Sequence, residues 1–156
     1  GCAEKDYPVP KVLLEPGRSI VANAGLTLYR VGGIKTIEGY RSYVTVNGGM
    51  TDNPRYALYK APYTVVPASR MNDAREFTCT VAGRCCESGD LIQENIQLPE
   101  MQRDDLLAVL TTGAYNFTMA SNYNRLCRPA LVMVRNGKAR LAVRRQTFAD
   151  LVACDL

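Results

Sequence analysis

The chain of 156 residues contains no histidine, and this absence limits the chemistry that it can carry out. Histidine is the commonest general base and the usual partner of a serine or cysteine nucleophile. Any catalysis here must therefore use Cys, Tyr, Lys, Asp, Glu or a cofactor. Because the chain also lacks a Cys-x-x-Cys pair, no metal site is expected.

The sequence also lacks a long apolar run and a basic stripe. No segment is apolar for the length of a bilayer, and Glu4, Lys5 and Asp6 interrupt the apolar start of a signal peptide. The 14 arginines and 5 lysines are scattered, which disfavours nucleic-acid binding. The six cysteines are therefore expected to be reduced thiols of a cytoplasmic protein that binds neither membrane nor nucleic acid.

Short strand-like runs separated by turn residues predict a mainly β domain. The clearest is a hairpin, in which Asn136-Gly137 joins two apolar runs as a type I′ turn. The predicted strands are Ser19–Ile37 (two strands, or one bent at Gly32-Gly33), Arg41–Val46, Tyr63–Val66, Glu76–Val81, Leu91–Leu98 (strand or loop), Asp105–Thr111, Ala130–Arg135 and Lys138–Arg144. A loop after Asn53-Pro54, a helical turn within Asn116–Asn122 and a terminal helix over Thr147–Cys154 complete the prediction.

The first apolar run, Lys11–Leu14, predicts a buried strand that belongs to another domain. A helix end precedes this run, and Glu15-Pro16-Gly17 closes it. This order resembles the last step of a (β/α)₈ barrel, where ligand groups sit at the C-terminal ends of strands. We therefore assign residues 1–18 to the end of an otherwise missing barrel and residues 19–156 to the β-domain.

The segment Gly83–Asp90 places a thiol, Cys86, beside a carboxylate, Glu87, between glycines that allow a close backbone approach to a ligand. Each candidate residue has an ordinary structural interpretation as well. Taken alone, Cys86 could be a buried apolar cysteine and Tyr115 a core aromatic. The arginines could form surface ion pairs, and Glu15 could be a solvated strand end.

The ordered set of motifs, which spans nearly the whole chain, resembles the C-terminal half of the diaminopimelate decarboxylases. These enzymes depend on pyridoxal phosphate (PLP) and belong to the alanine racemase-like, fold-type III group with the ornithine and arginine decarboxylases. The resemblance implies a C-terminal β-barrel or sandwich domain, preceded by the last strand of the PLP-binding barrel. The matching segments are Glu15–Val21, Val46–Met50, Arg55 with Ala57-Leu58-Tyr59, Gly83–Asp90, Gly113-Ala114-Tyr115, Met119–Asn124 and Arg128-Pro129-Ala130.

The resemblance implies a role for each candidate residue. Cofactor-binding residues would be Glu15 at the PLP ring nitrogen, Gly17 and Tyr115 at its phosphate, and Arg18 beside them. Substrate-binding residues would be Arg18, Arg55 and Tyr59 at the distal carboxylate and Glu87 at the distal ammonium. Cys86 would be the catalytic acid that reprotonates the substrate carbon. Cys85 would have no role in the chemistry, and Asp90 would brace the loop.

The resemblance also implies a homodimer in which the Cys86 loop reaches the partner's site, and a reaction that converts meso-2,6-diaminopimelate to L-lysine and CO₂ in lysine biosynthesis. The chain departs from the family because none of its five lysines stands in the PLP-binding context. We therefore expect the 156-residue chain alone to be inactive. The alternatives are a related ornithine- or arginine-type decarboxylase, in which Asp replaces Glu87, and a non-catalytic β-domain that acts as a binding module.

Overall fold

The computed structural model describes residues 1–156, which form eight β-strands and three short α-helices. The strands are β1 (Leu26–Ile37), β2 (Arg41–Val46), β3 (Val65–Pro67), β4 (Phe77–Ala82), β5 (Leu91–Leu98), β6 (Leu106–Leu110), β7 (Leu131–Arg135) and β8 (Lys138–Val143). The helices are α1 (Arg18–Val21), α2 (Arg55–Tyr59) and α3 (Phe148–Leu151). The predicted mainly β architecture is confirmed.

Six strands form one sheet in the order β3-β6-β1-β2-β4-β5. All neighbours in this sheet are antiparallel except β2 and β4, which run parallel. The two edge strands, β3 and β5, approach each other. The Tyr63 N–H, just before β3, donates to the Gln93 side chain of β5 at 2.8 Å. The sheet is therefore a nearly closed barrel, which leaves little unpaired edge.

The core lies on the inner face of this sheet. Alternate positions of the strands point inward, as the two-residue period of a strand requires. The 14 core residues are Tyr29, Val31, Val44, Val46, Ala61, Tyr63, Val65, Cys79, Val81, Ile92, Leu98, Met101, Leu107 and Val109. Most are β-branched or aromatic, which suits a pleated, half-buried surface.

The long strand β1 serves both halves of the sheet. Its first part pairs with β6 and its second part with β2, and the register shifts between Val31 and Gly33. The predicted bend at Gly32-Gly33 is therefore confirmed as a bulge within one strand, since an extra residue turns the strand toward a new partner. Residues 19–24, predicted as strand, instead form α1 and a 3₁₀ turn.

The buried strand predicted at Lys11–Leu14 does not form in this chain. Residues 11–14 have no strand hydrogen bonds and are exposed, as are all residues from 1 to 21. A strand needs a neighbour to satisfy its backbone groups, and no other segment of the chain pairs with this one. The assignment of residues 1–18 to a barrel thus stays a prediction.

The hairpin β7–β8 forms a second, two-stranded sheet, as predicted. Asn136 and Gly137 have φ of 51° and 71°, the left-handed values that a type I′ turn needs at both positions. The terminal helix is shorter than predicted, and Thr147 caps it through reciprocal bonds with Asp150. None of the helices is long and apolar enough to span a membrane.

Candidate functional site

Arg55 is stacked between two tyrosines. It begins α2, a short helix where the sequence predicted a loop, and its guanidinium carbon lies 5.1 Å from the Tyr59 ring centre and 5.5 Å from that of Tyr115. Such stacking attracts the cation to the ring faces without using its N–H donors. The Nε donor is buried and has no hydrogen-bond partner, and no carboxylate pairs with the guanidinium. Arg55 therefore keeps its planar fork available for an anion.

Tyr115 reaches from the sheet to the N-terminal segment. Its backbone has φ of 61°, a left-handed conformation that is uncommon for a tyrosine. The hydroxyl lies against the backbone of Gly17, where an added Cβ would come within 2.4 Å of it. Because 43% of Tyr115 is exposed, it is not an ordinary core aromatic.

A second close approach fixes Tyr115 relative to Gly17. The N–H of Gly113 donates to the carbonyl of Ala22 at 2.9 Å, and a Cβ on Gly113 would lie 2.1 Å from the carbonyl oxygen of Val21. Only glycine permits this contact. The Gly113-Ala114-Tyr115 segment and the segment that follows Gly17 are therefore held together.

The contact between Gly17 and Tyr115 fits a phosphate-bearing cofactor. Gly17 offers backbone without a side chain, and the tyrosine hydroxyl beside it can donate a hydrogen bond to a phosphate oxygen. Glu15 and Arg18 flank Gly17, are exposed, and form no side-chain hydrogen bond or ion pair. No group of three or more cysteine or acidic side chains is arranged to hold a metal ion.

The Cys86–Glu87 loop lies between β4 and β5. Its thiol and carboxylate are exposed, so Cys86 is not a buried apolar cysteine. The Cys86 N–H donates to Oδ1 of Asn124 at 2.9 Å. Glu87 turns back on its own loop, where Oε1 accepts from the Gly89 N–H at 3.1 Å. A carboxylate held this weakly can turn toward a cation.

The adjacent thiol of Cys85 has a different environment. It is partly buried, and burial together with the Asp90 carboxylate raises its pKa to about 11. A thiol with such a pKa stays protonated at neutral pH and is a poor nucleophile. The pair therefore contains one partly buried cysteine with a raised pKa and one exposed cysteine.

Six of the eight predicted site residues fall into two groups, and the exposed Glu15 and Arg18 make no side-chain bond to either group. In the first group Tyr115 contacts Gly17 and Arg55, and Arg55 contacts Tyr59. Cys86 and Glu87 lie on a separate loop. No hydrogen bond or ion pair joins the two groups within the chain. Two surface clefts, of about 340 and 500 Å³, contain none of the predicted site residues.

Asn124, the last residue of the matching segment Met119–Asn124, supports the backbone of Cys86, a contact that the sequence did not predict. Asn124 itself adopts a left-handed conformation with φ of 54°, which asparagine tolerates better than most residues. The Asn-Tyr-Asn segment could have indicated a turn, but its contact with a loop 38 positions away is visible only in the folded chain.

The chain is similar to a known protein family and to several known proteins. The model of the family "Pyridoxal-dependent decarboxylase, C-terminal sheet domain" matches residues 19–113. The chain is 52% identical to the diaminopimelate decarboxylase of Bacillus subtilis strain 168, over 96% of this chain and 34% of that protein. It is 49% identical to that of Synechocystis sp. PCC 6803, over 99% of this chain and 33% of that protein.

A solved structure of diaminopimelate decarboxylase from M. jannaschii, in complex with L-lysine, superposes with a TM-score of 0.85 and 34% identity. The superposition covers 98% of this chain and 35% of that one. The chain thus spans about a third of the length of the relatives it matches. Since the family model covers more than half of the chain, the chain belongs to the pyridoxal-dependent decarboxylases, and it comprises their C-terminal sheet domain.

Proposed function

We propose that this chain is the C-terminal part of a diaminopimelate decarboxylase, which converts meso-2,6-diaminopimelate to L-lysine and CO₂. The observation that carries the proposal is the contact of Arg55 with Tyr59 and Tyr115, with Gly17 beside the Tyr115 hydroxyl. A guanidinium suited to a carboxylate thus lies next to a backbone and a hydroxyl suited to a phosphate, and this proximity supports the proposal. The relatives named above act on, or are named for, the same substrate.

In this proposal, PLP bound to the complete protein supplies an electron sink that makes loss of CO₂ from an amino acid possible. Glu15 would keep the ring nitrogen protonated. The backbone of Gly17 and the hydroxyl of Tyr115 would bind the phosphate, with Arg18 beside them. The lysine that forms the covalent link would lie outside the 156 residues, in the barrel whose end we assign to residues 1–18.

The substrate would be recognised through its unreactive end. Arg55 and Arg18 would bind the distal carboxylate, and the Tyr59 hydroxyl would add a hydrogen bond. Glu87 would bind the distal ammonium. Diaminopimelate carries both groups at this end, whereas ornithine carries an amine without the carboxylate. The unpaired guanidinium of Arg55 therefore favours diaminopimelate over ornithine.

Cys86 would return a proton from its thiol to the substrate carbon after CO₂ leaves. Because no hydrogen bond or ion pair joins the Cys86–Glu87 loop to the Arg55 cluster, we infer that each loop completes the site of a partner subunit. The protein would be a cytoplasmic homodimer. The 156-residue chain alone would be inactive, since it would lack the lysine and most of the barrel.

The first experiment uses the complete protein that carries this chain, supplied with PLP, and measures CO₂ and lysine released from meso-diaminopimelate, with ornithine and arginine as competing substrates. We expect turnover of diaminopimelate only. Turnover of ornithine or arginine instead would favour the related decarboxylases, and no turnover would favour the binding module. Cys86→Ser should lower kcat, whereas the matched variant Cys85→Ser should leave kcat unchanged.

A mixing experiment tests the shared site. Cys86→Ser and Arg55→Met are each nearly inactive in this proposal. Random subunit exchange makes half of the dimers mixed, and each mixed dimer has one intact site, so the mixture should regain about a quarter of the wild-type activity. If both residues of a site came from one subunit, mixing would restore nothing.

Glu87→Asp tests the specificity role. The shorter aspartate side chain should raise KM for diaminopimelate, because its carboxylate would lie farther from the distal ammonium. Gln97→Asn, an exposed shortening on β5, is the matched control and should change nothing. Unchanged diaminopimelate turnover in Glu87→Asp would rule out Glu87 as the ammonium-binding residue.

A further inference from the structure

The Cys86 loop is hydrogen-bonded to a turn of the sheet as well as to Asn124. This turn, residues 47–50, follows β2, and the Arg84 N–H donates to the Gly48 carbonyl at 3.1 Å. The loop also closes on itself, since the Gly83 N–H donates to the Asp90 carbonyl at 2.8 Å. Loop and turn therefore meet side by side at the end of the barrel.

The carboxylate of Asp90 bridges the two segments. Oδ1 accepts from the Met50 N–H at 2.6 Å, and Oδ2 accepts from the Cys85 N–H at 2.7 Å. Asp90 is only 3% exposed, so these are buried, charge-assisted bonds. A Cβ on Gly49 or Gly83 would lie within 2.5 Å of a carboxylate oxygen, so both glycines are needed for the bridge to fit.

The turn leads directly to Arg55. The Asn53 N–H donates back to the Gly49 carbonyl at 2.8 Å, and α2 begins two residues later. Met50 follows Gly49 directly, and its N–H donates to the Asp90 carboxylate. A single carboxylate thus connects the start of the Arg55 helix to the backbone immediately before Cys86.

A second carboxylate, that of Asp52, also accepts from this turn and provides a natural comparison. Asp52 accepts from the Gly49 N–H at 3.0 Å and from the Tyr29 hydroxyl at 2.5 Å, and makes no bond to the Cys86 loop. Asp52 therefore connects the turn to Tyr29 of β1, whereas Asp90 connects the turn to the Cys86 loop.

We propose that Asp90 is a positioning residue that couples the substrate-carboxylate site at Arg55 to the Cys86–Glu87 loop. This inference rests on the proposed function for the roles of Arg55, Cys86 and Glu87. If the loop serves the partner's site, Asp90 also links the two active sites of the dimer. Loss of the bridge then changes substrate binding and proton return together, although Asp90 touches neither substrate nor cofactor.

The test compares Asp90→Asn with Asp52→Asn in the complete protein. Both oxygens of Asp90 accept from backbone N–H groups, which can only donate. In D90N one of these oxygens becomes an NH₂ group, so that two donors face each other and one hydrogen bond is lost. In D52N the remaining oxygen can keep the Gly49 N–H, and the new NH₂ can donate to the Tyr29 hydroxyl. Each variant removes one negative charge that accepts a hydrogen bond from this turn, but only D90N breaks the bridge.

We expect D90N to lower kcat/KM by about 10- to 100-fold, through a higher KM and a lower kcat, since a charge-assisted bond is lost. D52N should stay within about 3-fold of wild type. Hydrogen exchange should accelerate in residues 47–53 and 83–90 together in D90N, with the rest of the sheet unchanged. If Asp90 had only a structural role, D90N would accelerate hydrogen exchange throughout the sheet and would leave kcat and KM of the folded protein unchanged.

Two further measurements decide the matter if D90N fails to fold. Gly83→Ala keeps the Asp90 charge but displaces its carboxylate, and it should produce the same paired effect. In wild type, the Met50 and Cys85 amide protons should exchange with one opening free energy as denaturant is raised. If the Met50 and Cys85 amides exchanged with different opening free energies, the proposed coupling would be wrong. The same conclusion would follow if D90N changed kcat/KM no more than D52N does. An inactive wild-type protein would overturn the proposed function alone, since the exchange results still test the bridge.

Discussion

The six-stranded sheet and the two ends of the chain differ in how they use apolar residues. The sheet encloses a core of 14 buried residues, whereas residues 1–21 and the hairpin β7–β8 contain none. Both ends are nevertheless rich in apolar side chains, and Leu13 and Val134 are 78% and 71% exposed. The sheet is stabilised by its own packing, while the hairpin is specified by its turn and its backbone pairing.

Leucines at adjacent positions of β6 test this comparison with the largest expected effect. Leu107 is fully buried, and its neighbour Leu106 is 36% exposed on the other face. Leu107→Ala should lower the free energy of unfolding by about 2–5 kcal/mol, because it leaves a cavity in the core. Leu106→Ala should cost less than about 1 kcal/mol. Denaturant unfolding of both variants measures the difference, and equal losses would contradict the assigned faces of β6.

Glu94 gives the second largest effect, and the effect depends on pH. Its carboxylate accepts from the Tyr56 hydroxyl at 2.5 Å and from Arg41 at 2.7 Å. These two bonds, the one from Tyr56 first, lower the pKa of Glu94 below its ordinary value of 4.5. Glu94→Gln should cost about 1–2 kcal/mol at pH 7, since one acceptor is replaced by a donor.

The pH dependence of this cost follows from the lowered pKa. The folded state favours the ionised carboxylate, so its contribution is complete above the ordinary value of 4.5 and is lost as pH falls through the lower folded value. The stability difference between wild type and E94Q should therefore shrink below about pH 4. Glu100→Gln, at an exposed position just past β5, should show no such trend. A difference that stays constant down to pH 2 would contradict the role of the charge.

Elements defined by local signals could be predicted from the sequence. The Asn136-Gly137 turn needs left-handed backbone at both positions, and these residue types supply it. The Gly32-Gly33 bulge and the Thr147 cap have similarly local causes. The strand predicted at Lys11–Leu14 failed because an apolar run specifies burial only when a partner surface exists. The parallel pairing of β2 with β4 also has no local signal, since it joins distant segments.

The candidate site was predictable in its residue types but not in its contacts. Motif order indicated Arg55 and Tyr115, yet their stacking depends on the left-handed backbone of Tyr115 and on the short helix α2. The support of Cys86 by Asn124 and the bridge through Asp90 join residues from separate loops. Such contacts follow from the closure of the barrel, which brings its end loops together, and no periodicity in the sequence reports them.

A substitution in the hairpin turn tests whether local specification suffices. Gly137 has φ of 71°, and no atom would lie near an added Cβ. Gly137→Ala should therefore destabilise the hairpin by about 1 kcal/mol through backbone strain alone. Gly1→Ala, in the equally open but unstrained N-terminus, is the control. Amide exchange in β7 and β8 should accelerate in G137A while the six-stranded sheet is unaffected, and loss of protection in both sheets would show that they unfold as one unit.

The smallest expected effect is that of Val134→Ser. Val134 lies in β7 and is 71% exposed, so replacing its methyl groups by a hydroxyl removes almost no buried area. The change in the free energy of unfolding of the 156-residue chain should stay within about 0.5 kcal/mol. Val81→Ser, at a fully buried position of β4, makes the same chemical change and should cost several times more, because it also buries an unpaired hydroxyl. Comparable losses from the two serines would mean that the hairpin packs against the sheet, and the contrast between a buried barrel and exposed ends would then fail.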